Sequence, residues 1–383
     1  MSKFWITKPV SHDRDGTVHG VIDVEAAVEE DRESDTVTPL PHQLEWADIN
    51  MTDPPQLEEV VKFLQKHYLD LEGKAQVYFT TDFMKWFYQR PAGAFDTPPS
   101  WTPSTWAVGL RSAAGKKQLV GFHGAMPIHV RYNDAEMDVA TSNFLCVHSK
   151  MRDKSLAPML IKELSRVLGK FRVGGVFSIA FPGPASCVPF CTLPLLYRPV
   201  NLSALESAGM WAPKSKVGRK SLSRLYAKPV STKPFRKMEI DDVPLCMDLL
   251  AADSAKYKVA PLFRTQEEFV HHFCTMAESF VIIDDGTVVD FFSHLSMIIK
   301  NGSHHITVAH ILYITTLKTP ILESGKALIA STTADVVNSY GHFGIPSVKS
   351  ELKFEYGDLR LNYYNYNYGC AQLSPQEISL VIV

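Results

Sequence analysis

Three things are scarce in this chain, and each scarcity removes a class of function. Its six cysteines (146, 187, 191, 246, 274 and 370) contain no C-x-x-C pair, so neither a zinc ribbon nor a disulfide framework is expected, and a reducing compartment fits. No stretch reaches the ~18 uninterrupted apolar residues that a membrane helix requires. The N-terminus MSKFWITKPV lacks the apolar core of a signal peptide. A cytoplasmic protein without stable membrane insertion is the expectation. Excess charge is missing too: 39 Lys and Arg against 41 Asp and Glu leave a net charge of −2. No global field therefore draws the chain to nucleic acid or anionic lipid, and any basic site must be local. The adjacent histidines at 271–272 and 304–305 suit no single metal if they lie on strands, because strand neighbours point to opposite faces. They read as surface residues, and no metal is expected.

What is present is an ordinary globular composition, 45% apolar and 21% charged over 383 residues, enough for one large or two medium cores. Between Asp23 and Asp35 there are seven carboxylates and one arginine. Residues 11–40 therefore read as an extended arm, tied down at Phe4 and Trp5. DPPQLEEVVKFLQKHYL is the first clear helix, with Asp53 as its cap and Leu57, Val60, Val61, Leu64 and Tyr68 on one face. A short helix, DFMKWFYQR, follows. Next come strands TWAVGL, QLVGFHGAMPIHVRY and, after a turn at Asn133-Asp134, MDVATSNFLCVH; a helix over 156–169 closes this part.

The second part repeats the order: helix MEIDDVPLCMDLLAADS, short helix EEFVHHFCT, a hairpin turning at Asp285-Gly286, strand ITVAHILYIT, helix ILESGKALIASTTADVVNSY. This predicts two similar α/β halves with a basic joint around 212–235. The divisions read as an arm over 1–40, a first half over 41–211 and a second over 212–383. Two strands, LRLNYYNYNYG and EISLVIV, finish the chain. The last is apolar through Val383, so this chain end is expected inside the protein.

Residues 143–158 bear most directly on function. An apolar strand ends at Val147, a loop carries Lys150, Arg152 and Lys154, and Ser155, Leu156, Ala157 and Pro158 open the helix. Unpaired amides at a helix start, with cations beside them, form a plausible phosphate cradle. GLRSAAGKK is not a P-loop: its glycines are one residue too far apart, and it sits in a hairpin. Just upstream, a splayed strand at Asn143, Phe144 and Leu145 would leave N–H groups free to polarise a carbonyl. Cys146 reads as a small buried hydrophobe.

NFLCVHSKMRDKSLAPMLIKELSRV closely resembles the signature of N-myristoyltransferases. KFWITKPV, LEWADINM, DFMKWF, KPFRKMEIDDVP, VVDFFSHL, AHILYITTLKTP and LKFEYGD…YYNYNY resemble further family segments in order, over nearly the whole chain. The resemblance implies two acetyltransferase-like (GNAT) halves related by a pseudo-twofold around a saddle-shaped mixed sheet. It implies myristoyl transfer from myristoyl-CoA, a co-substrate rather than a prosthetic group, to the N-terminal glycine of client proteins. The enzyme would be a monomer. By carry-over, the backbone of Phe144 and Leu145 polarises the thioester and Asn143 lies near the amine. The Val383 carboxylate is the base. Lys3, Phe4 and Trp5 cover the acyl-CoA. Arg152, Lys154, Ser155, Leu156 and Ala157 cradle its phosphates, with Cys146, Val147, Asp153 and Pro158 in the same site. Tyr68, Asp70, Glu72, Gly357 and Asp358 fall on the peptide side.

The chain also departs from the family. Asp153 and Ser155 replace a serine and an arginine of the phosphate loop, which removes one cation and adds one anion. Pro182 stands about where the family keeps a threonine. Leu196 and Tyr197 replace a Trp-His pair. The stretch SYGHFGIPSVKSELKF is short, and a Gly-Asp-Gly has shrunk to Gly357-Asp358. Because the changes cluster on the peptide side, two other readings stay open: the same fold acylating lysine, or a homologue that binds acyl-CoA or lipopeptide without turnover.

Overall fold

The structure is a computed structural model that describes residues 4–5, 8, 10–11, 20–21, 37–68, 76–91, 106–169, 174–180, 186–211, 218–366 and 368–382. After β1 (Gly20–Val21), the first half runs β2 (Leu44–Asp48), α1 (Pro54–His67), β3 (Gln76–Tyr78), α2 (Thr81–Tyr88), β4 (Ala107–Ser112), β5 (Leu119–Tyr132), β6 (Ala135–Val147), α3 (Leu156–Gly169), β7 (Gly174–Ala180) and β8 (Cys191–Pro199). Two short helices, α4 (Leu202–Ser207) and α5 (Arg219–Leu225), lead to the second half. That half runs β9 (Phe235–Lys237), α6 (Val243–Ser254), β10 (Val259–Leu262), α7 (Gln266–Val270), β11 (Glu278–Asp284), β12 (Thr287–Asn301), β13 (His304–Ile314), α8 (Ile321–Ser331), β14 (Val336–Ser339), α9 (Lys349–Leu352), β15 (Glu355–Tyr366) and β16 (Tyr368–Gly369).

Local chemistry sets these elements. The Asp53 carboxylate accepts the Gln56 N–H, Pro54 opens α1, and Leu57, Val60, Val61 and Leu64 bury its apolar face. Thr80 caps α2 by accepting from the Phe83 N–H at 3.1 Å. Asp285 (φ 46°) and Gly286 (φ 77°) both take the left-handed conformation that a two-residue hairpin turn between β11 and β12 requires.

The large sheet has the order β2-β4-β5-β6-β7-β15-β8-β14-β13-β12-β11-β9. Read inward from its two ends, the order matches the halves strand for strand, so a pseudo-twofold passes between β15 and β8. Each half contains one parallel pair, β6 with β7 and β13 with β14. Each half also gives its last strand away: β8 pairs with β14, and β15 pairs with β7. Strand exchange and one continuous core cluster bind the halves together.

Three sequence expectations need correction. The helix beginning at Ile321 stops at Ser331, and Val336–Ser339 is a strand parallel to β13. The adjacent β-branched Thr332 and Thr333 weaken the helix there, and Thr332 is already extended. EISLVIV is not a strand. It follows a short turn, makes a single bridge from Ile378 to Val259, and donates from Ser379 N to the Val259 carbonyl at 2.8 Å. The segment is nevertheless buried at Ile378, Leu380 and Ile382. His271 and His272 lie on a π-helical turn, half-buried rather than on the surface. His304 and His305 are exposed, as expected.

Four buried histidines give the fold a pH dependence. Burial lowers His123, His294 and His310 to a pKa of about 4 and His342 to about 3. Between ~pH 6.5 and 4 the folded protein holds fewer protons than the unfolded chain, so stability rises with pH in that window. Urea unfolding should therefore give a lower free energy at pH 5.5 than at pH 7.5, by on the order of 1 kcal/mol per buried histidine. Equal values would contradict burial of these side chains in the neutral form.

Candidate active site

β5 and β6 keep register up to Gly124 opposite Asn143 and resume with Phe122 opposite Cys146. Phe144 and Leu145 therefore face the single residue His123, which is a β-bulge. On its other side β6 runs beside β7 only as far as Ser142 opposite Phe177. Phe144 and Leu145 thus have no strand partner on either side, and Phe144 adopts φ 58°, a strained conformation for a bulky residue. Aromatic packing holds it there: the Phe87 and Phe79 rings meet the Phe144 ring edge-on at 4.7 and 5.3 Å. Gly124 provides room for Tyr88, whose hydroxyl lies 1.7 Å from where a Cβ on Gly124 would sit.

Behind the bulge, His123 Nε2 contacts Ser142 Oγ at 2.7 Å, and its other nitrogen lies 3.4 Å from the Leu160 carbonyl of α3. Burial keeps this ring neutral. Burial also pushes the Cys146 thiol up to about 12, so it stays protonated and is no nucleophile.

After Val147 the chain makes one tight turn and enters α3. Arg152 donates to the His67 carbonyl at 2.5 Å, while Asp153, Lys154 and Ser155 are exposed. Asp153 and Ser155 have φ of 63° and 56°, which swing the backbone so that α3 opens beside the basic loop. His67 is lowered to about 4 by burial and by His148, Lys66 and Arg152. Leu156 is buried, with Ala157 and Pro158 beside it in the first turn. Trp5 is buried with Val10, Cys187 and Tyr364, and Phe4 and Ile161 of α3 pack against them. The N-terminal arm is therefore tied down at Phe4 and Trp5 across α3. Lys3 lies outside the described residues.

On the face of β5 and β6 opposite α3 there is a small, partly open pocket with a mostly apolar lining. Asn143 and Thr141 of β6 line it, with Met126 and Ile128 of β5, Trp86 and Phe87 of α2, Phe263, Phe273, Leu312 and Tyr313. Ser379, Leu380, Val381 and Ile382 form another wall. Ile382 N donates to Tyr363 Oη at 3.0 Å, which fixes the approach to the chain end. Val383 itself lies outside the described residues. Arg90, His129, Glu268 and His272 also line the cavity; sequence reading missed all four. They come from separate elements, and the only signal was ionisable groups set in otherwise apolar stretches such as AMPIHVRY.

Among the described residues, the expected peptide contacts Tyr68, Gly357 and Asp358 do not line this cavity. Tyr68 terminates α1, its ring edge-on to Phe79 at 5.1 Å, and burial pushes its hydroxyl up to about 12. Gly357 and Asp358 sit in a bulge of β15 where residues 357–359 face Leu195 alone; Asp358 is exposed. Beside them Tyr197 Oη contacts Glu355 at 3.2 Å, and Tyr226 bonds the same carboxylate. Leu196 is fully buried. Asp70, Glu72 and Pro182 lie outside the described residues.

Residues 22–187 match the model of the N-terminal domain of myristoyl-CoA:protein N-myristoyltransferase, and residues 212–380 match that of its C-terminal domain. The chain belongs to the N-myristoyltransferase family. It is 30% identical to a probable glycylpeptide N-tetradecanoyltransferase of Caenorhabditis elegans over 99% of this chain and 85% of that protein. It is also 30% identical to the glycylpeptide N-tetradecanoyltransferase of Dictyostelium discoideum, over 100% of this chain and 92% of that one. The fold superposes on Saccharomyces cerevisiae N-myristoyltransferase with bound myristoyl-CoA at a TM-score of 0.86 and 24% identity, covering 100% and 99% of the two chains. The two-half architecture is thus that of the N-myristoyltransferases.

The strained bulge makes an unusual prediction for this N-myristoyltransferase homologue. Phe144→Ala should cost ~3–5 kcal/mol through lost packing. Phe144→Gly should cost about 1 kcal/mol less than the alanine variant, because glycine accepts the positive φ freely. Thermal or urea unfolding measures both; a glycine variant less stable than the alanine variant would contradict the bulge.

Proposed function

We propose that the chain transfers a myristoyl group from myristoyl-CoA to the N-terminal glycine amine of client proteins. The observation that carries this reading is the bulge at Phe144–Leu145, out of strand register on both sides, beside a mostly apolar pocket lined by Asn143 and next to a basic loop and a helix start.

The physical sequence is as follows. The coenzyme A phosphates sit at the start of α3, where the amides of Ser155, Leu156 and Ala157 and the helix dipole favour an anion. Arg152 uses one N–H on the His67 carbonyl and keeps others for phosphate; Lys154 adds charge. Pro158 contributes no amide. Asp153 is exposed, so its carboxylate can face water rather than the phosphates. Phe4 and Trp5 cover the donor, and the family resemblance adds Lys3 to this role. The thioester lies along Cys146 and Val147 with its oxygen toward the Phe144 and Leu145 amides, which stabilise the oxyanion that forms on attack. The fatty chain passes through the gap between β6 and β7 into the cavity.

The acceptor amine must be neutral to attack, although an α-amine has a pKa near ~8. The Val383 carboxylate takes its proton, and Asn143 orients it. Support comes from Ser379–Ile382, which line the same pocket as Asn143. The C–N bond forms, the tetrahedral intermediate collapses, and coenzyme A leaves as its thiol. The peptide lies toward the second half, past Tyr68, Asp70 and Glu72 and along the Gly357-Asp358 bulge. With few carboxylates there, demand for a downstream lysine is weak. The arm over 1–40 and the halves over 41–211 and 212–383 divide this labour, in a monomer working in the cytoplasm.

Myristoyl-CoA mixed with a glycine-starting octapeptide should release free thiol. Adding one residue after Val383 should abolish release and leave acyl-CoA binding intact. Thiol release only with an internal-lysine peptide would make this an acyltransferase of altered acceptor. Tight acyl-CoA binding without any release would make it a binding protein.

A further inference from the structure

The C-terminal end of α1 packs against the basic loop that precedes α3. Arg152 donates to the His67 carbonyl at 2.5 Å, and Ser149 reaches His67 Nδ1 with its amide at 3.4 Å and its hydroxyl at 3.3 Å. The rings of His67 and His148 lie 4.0 Å apart, tilted by 37°. His148 Nδ1 in turn accepts the Lys150 N–H at 3.2 Å. Both rings spend Nδ1 as an acceptor, which requires their neutral form. They act as spacers that fix the distance between the helix end and the loop.

Positive charge converges there from two separate elements. Lys66 is exposed in the last turn of α1, one residue before His67, and Lys150 and Lys154 are exposed on the loop. His148 sits among them: burial, Lys66, Lys150 and Arg152 all lower its affinity for a proton, and no carboxylate counts against them. Asp153 is the one carboxylate between residues 149 and 155. Among the described residues, neither Lys66 nor Lys150 nor Arg152 has an ion-pair partner. Lys62, one turn back on α1, is by contrast paired with Glu58 at 3.3 Å. Like charges gathered in this way repel, and an anion placed among them reverses the sign of that energy.

We propose that Lys66 is a donor-binding residue: from the end of α1 its ammonium joins Lys150 and Arg152 on a phosphate of the acyl donor's coenzyme A. This rests on the acyl-CoA reading of the loop and α3, and adds to it a cation from outside the 143–158 stretch. It offsets the arginine that Ser155 replaces. Lysine suits the task because its ammonium is a compact point charge on a flexible stem, able to meet a phosphate oxygen without a fixed geometry.

The test compares two donors with one glycine peptide: myristoyl-CoA, and myristoyl-pantetheine, which carries the same thioester and no phosphate. In Lys66→Met, Kd and KM for myristoyl-CoA should rise about fivefold at low ionic strength while kcat holds, and the gap from wild type should shrink in ~0.5 M salt. Lys66→Glu should raise both further. Neither variant should change kcat/KM for myristoyl-pantetheine, and Lys62→Met should behave as wild type with both donors. A lysine near a helix C-terminus also complements the helix dipole. A Lys66→Met protein that loses thermal stability while its Kd for myristoyl-CoA is unchanged would overturn the proposal in favour of that role. An equal loss with both donors would overturn it too, because phosphate is then not what Lys66 meets. In either case the transferase reading stands. A wild-type protein that neither binds nor turns over myristoyl-CoA would sink both readings together.

Discussion

The structure depends on two residues, Phe144 and Leu145, that have given up their strand partners. A backbone N–H in the middle of a sheet is normally spent on the ladder. Here a bulge removes the neighbour on one side and the divergence of β6 from β7 removes it on the other. The cost is a bulky residue at positive φ, offset by the aromatic cage of Phe79, Phe83, Phe87 and Tyr88 around the Phe144 ring. In the proposed reaction the N–H groups of Phe144 and Leu145 are the donors that meet the charge developing on the thioester oxygen.

The rest of the site is arranged around that defect. α3 begins just beyond it, on one face of the sheet, with the basic loop at its N-terminus. The cavity lies on the opposite face. β6 and β7 pair only as far as Ser142 opposite Phe177, and the proposed reaction places the thioester where they part. The exchange of β8 and β15 between the halves brings the C-terminal segment back to the cavity wall, where Tyr363 Oη holds Ile382. Ser379–Ile382 become part of a pocket because β15 of the second half pairs into the first half's sheet.

Much of this was legible in the sequence, for identifiable reasons. The helix over 156–169 and the turn at Asp285-Gly286 are local matters of periodicity and turn chemistry, and both stand as read. A splay at Asn143–Leu145 entered the sequence reading only as a condition for free amides; the structure has a bulge at Phe144 and Leu145, with Asn143 still opposite Gly124. Elements decided by tertiary pairing were not legible. Val336–Ser339 continues a helical pattern but is drawn into the sheet by β13. The terminal apolar run has strand composition but finds only a single bridging partner. Arg90, Glu268 and His272 come together through a π-helical turn docked on α2, a long-range arrangement that no spacing in the sequence announces.

The most direct test of this account is the crystal structure of the protein with a non-hydrolysable thioether analogue of myristoyl-CoA. The account predicts the ketone oxygen within about 3 Å of the Phe144 and Leu145 nitrogens, the phosphates at the start of α3, and the alkyl chain threaded between β6 and β7. An alkyl chain lying on the α3 face, with the cavity empty and the two amides bonded to water, would contradict it.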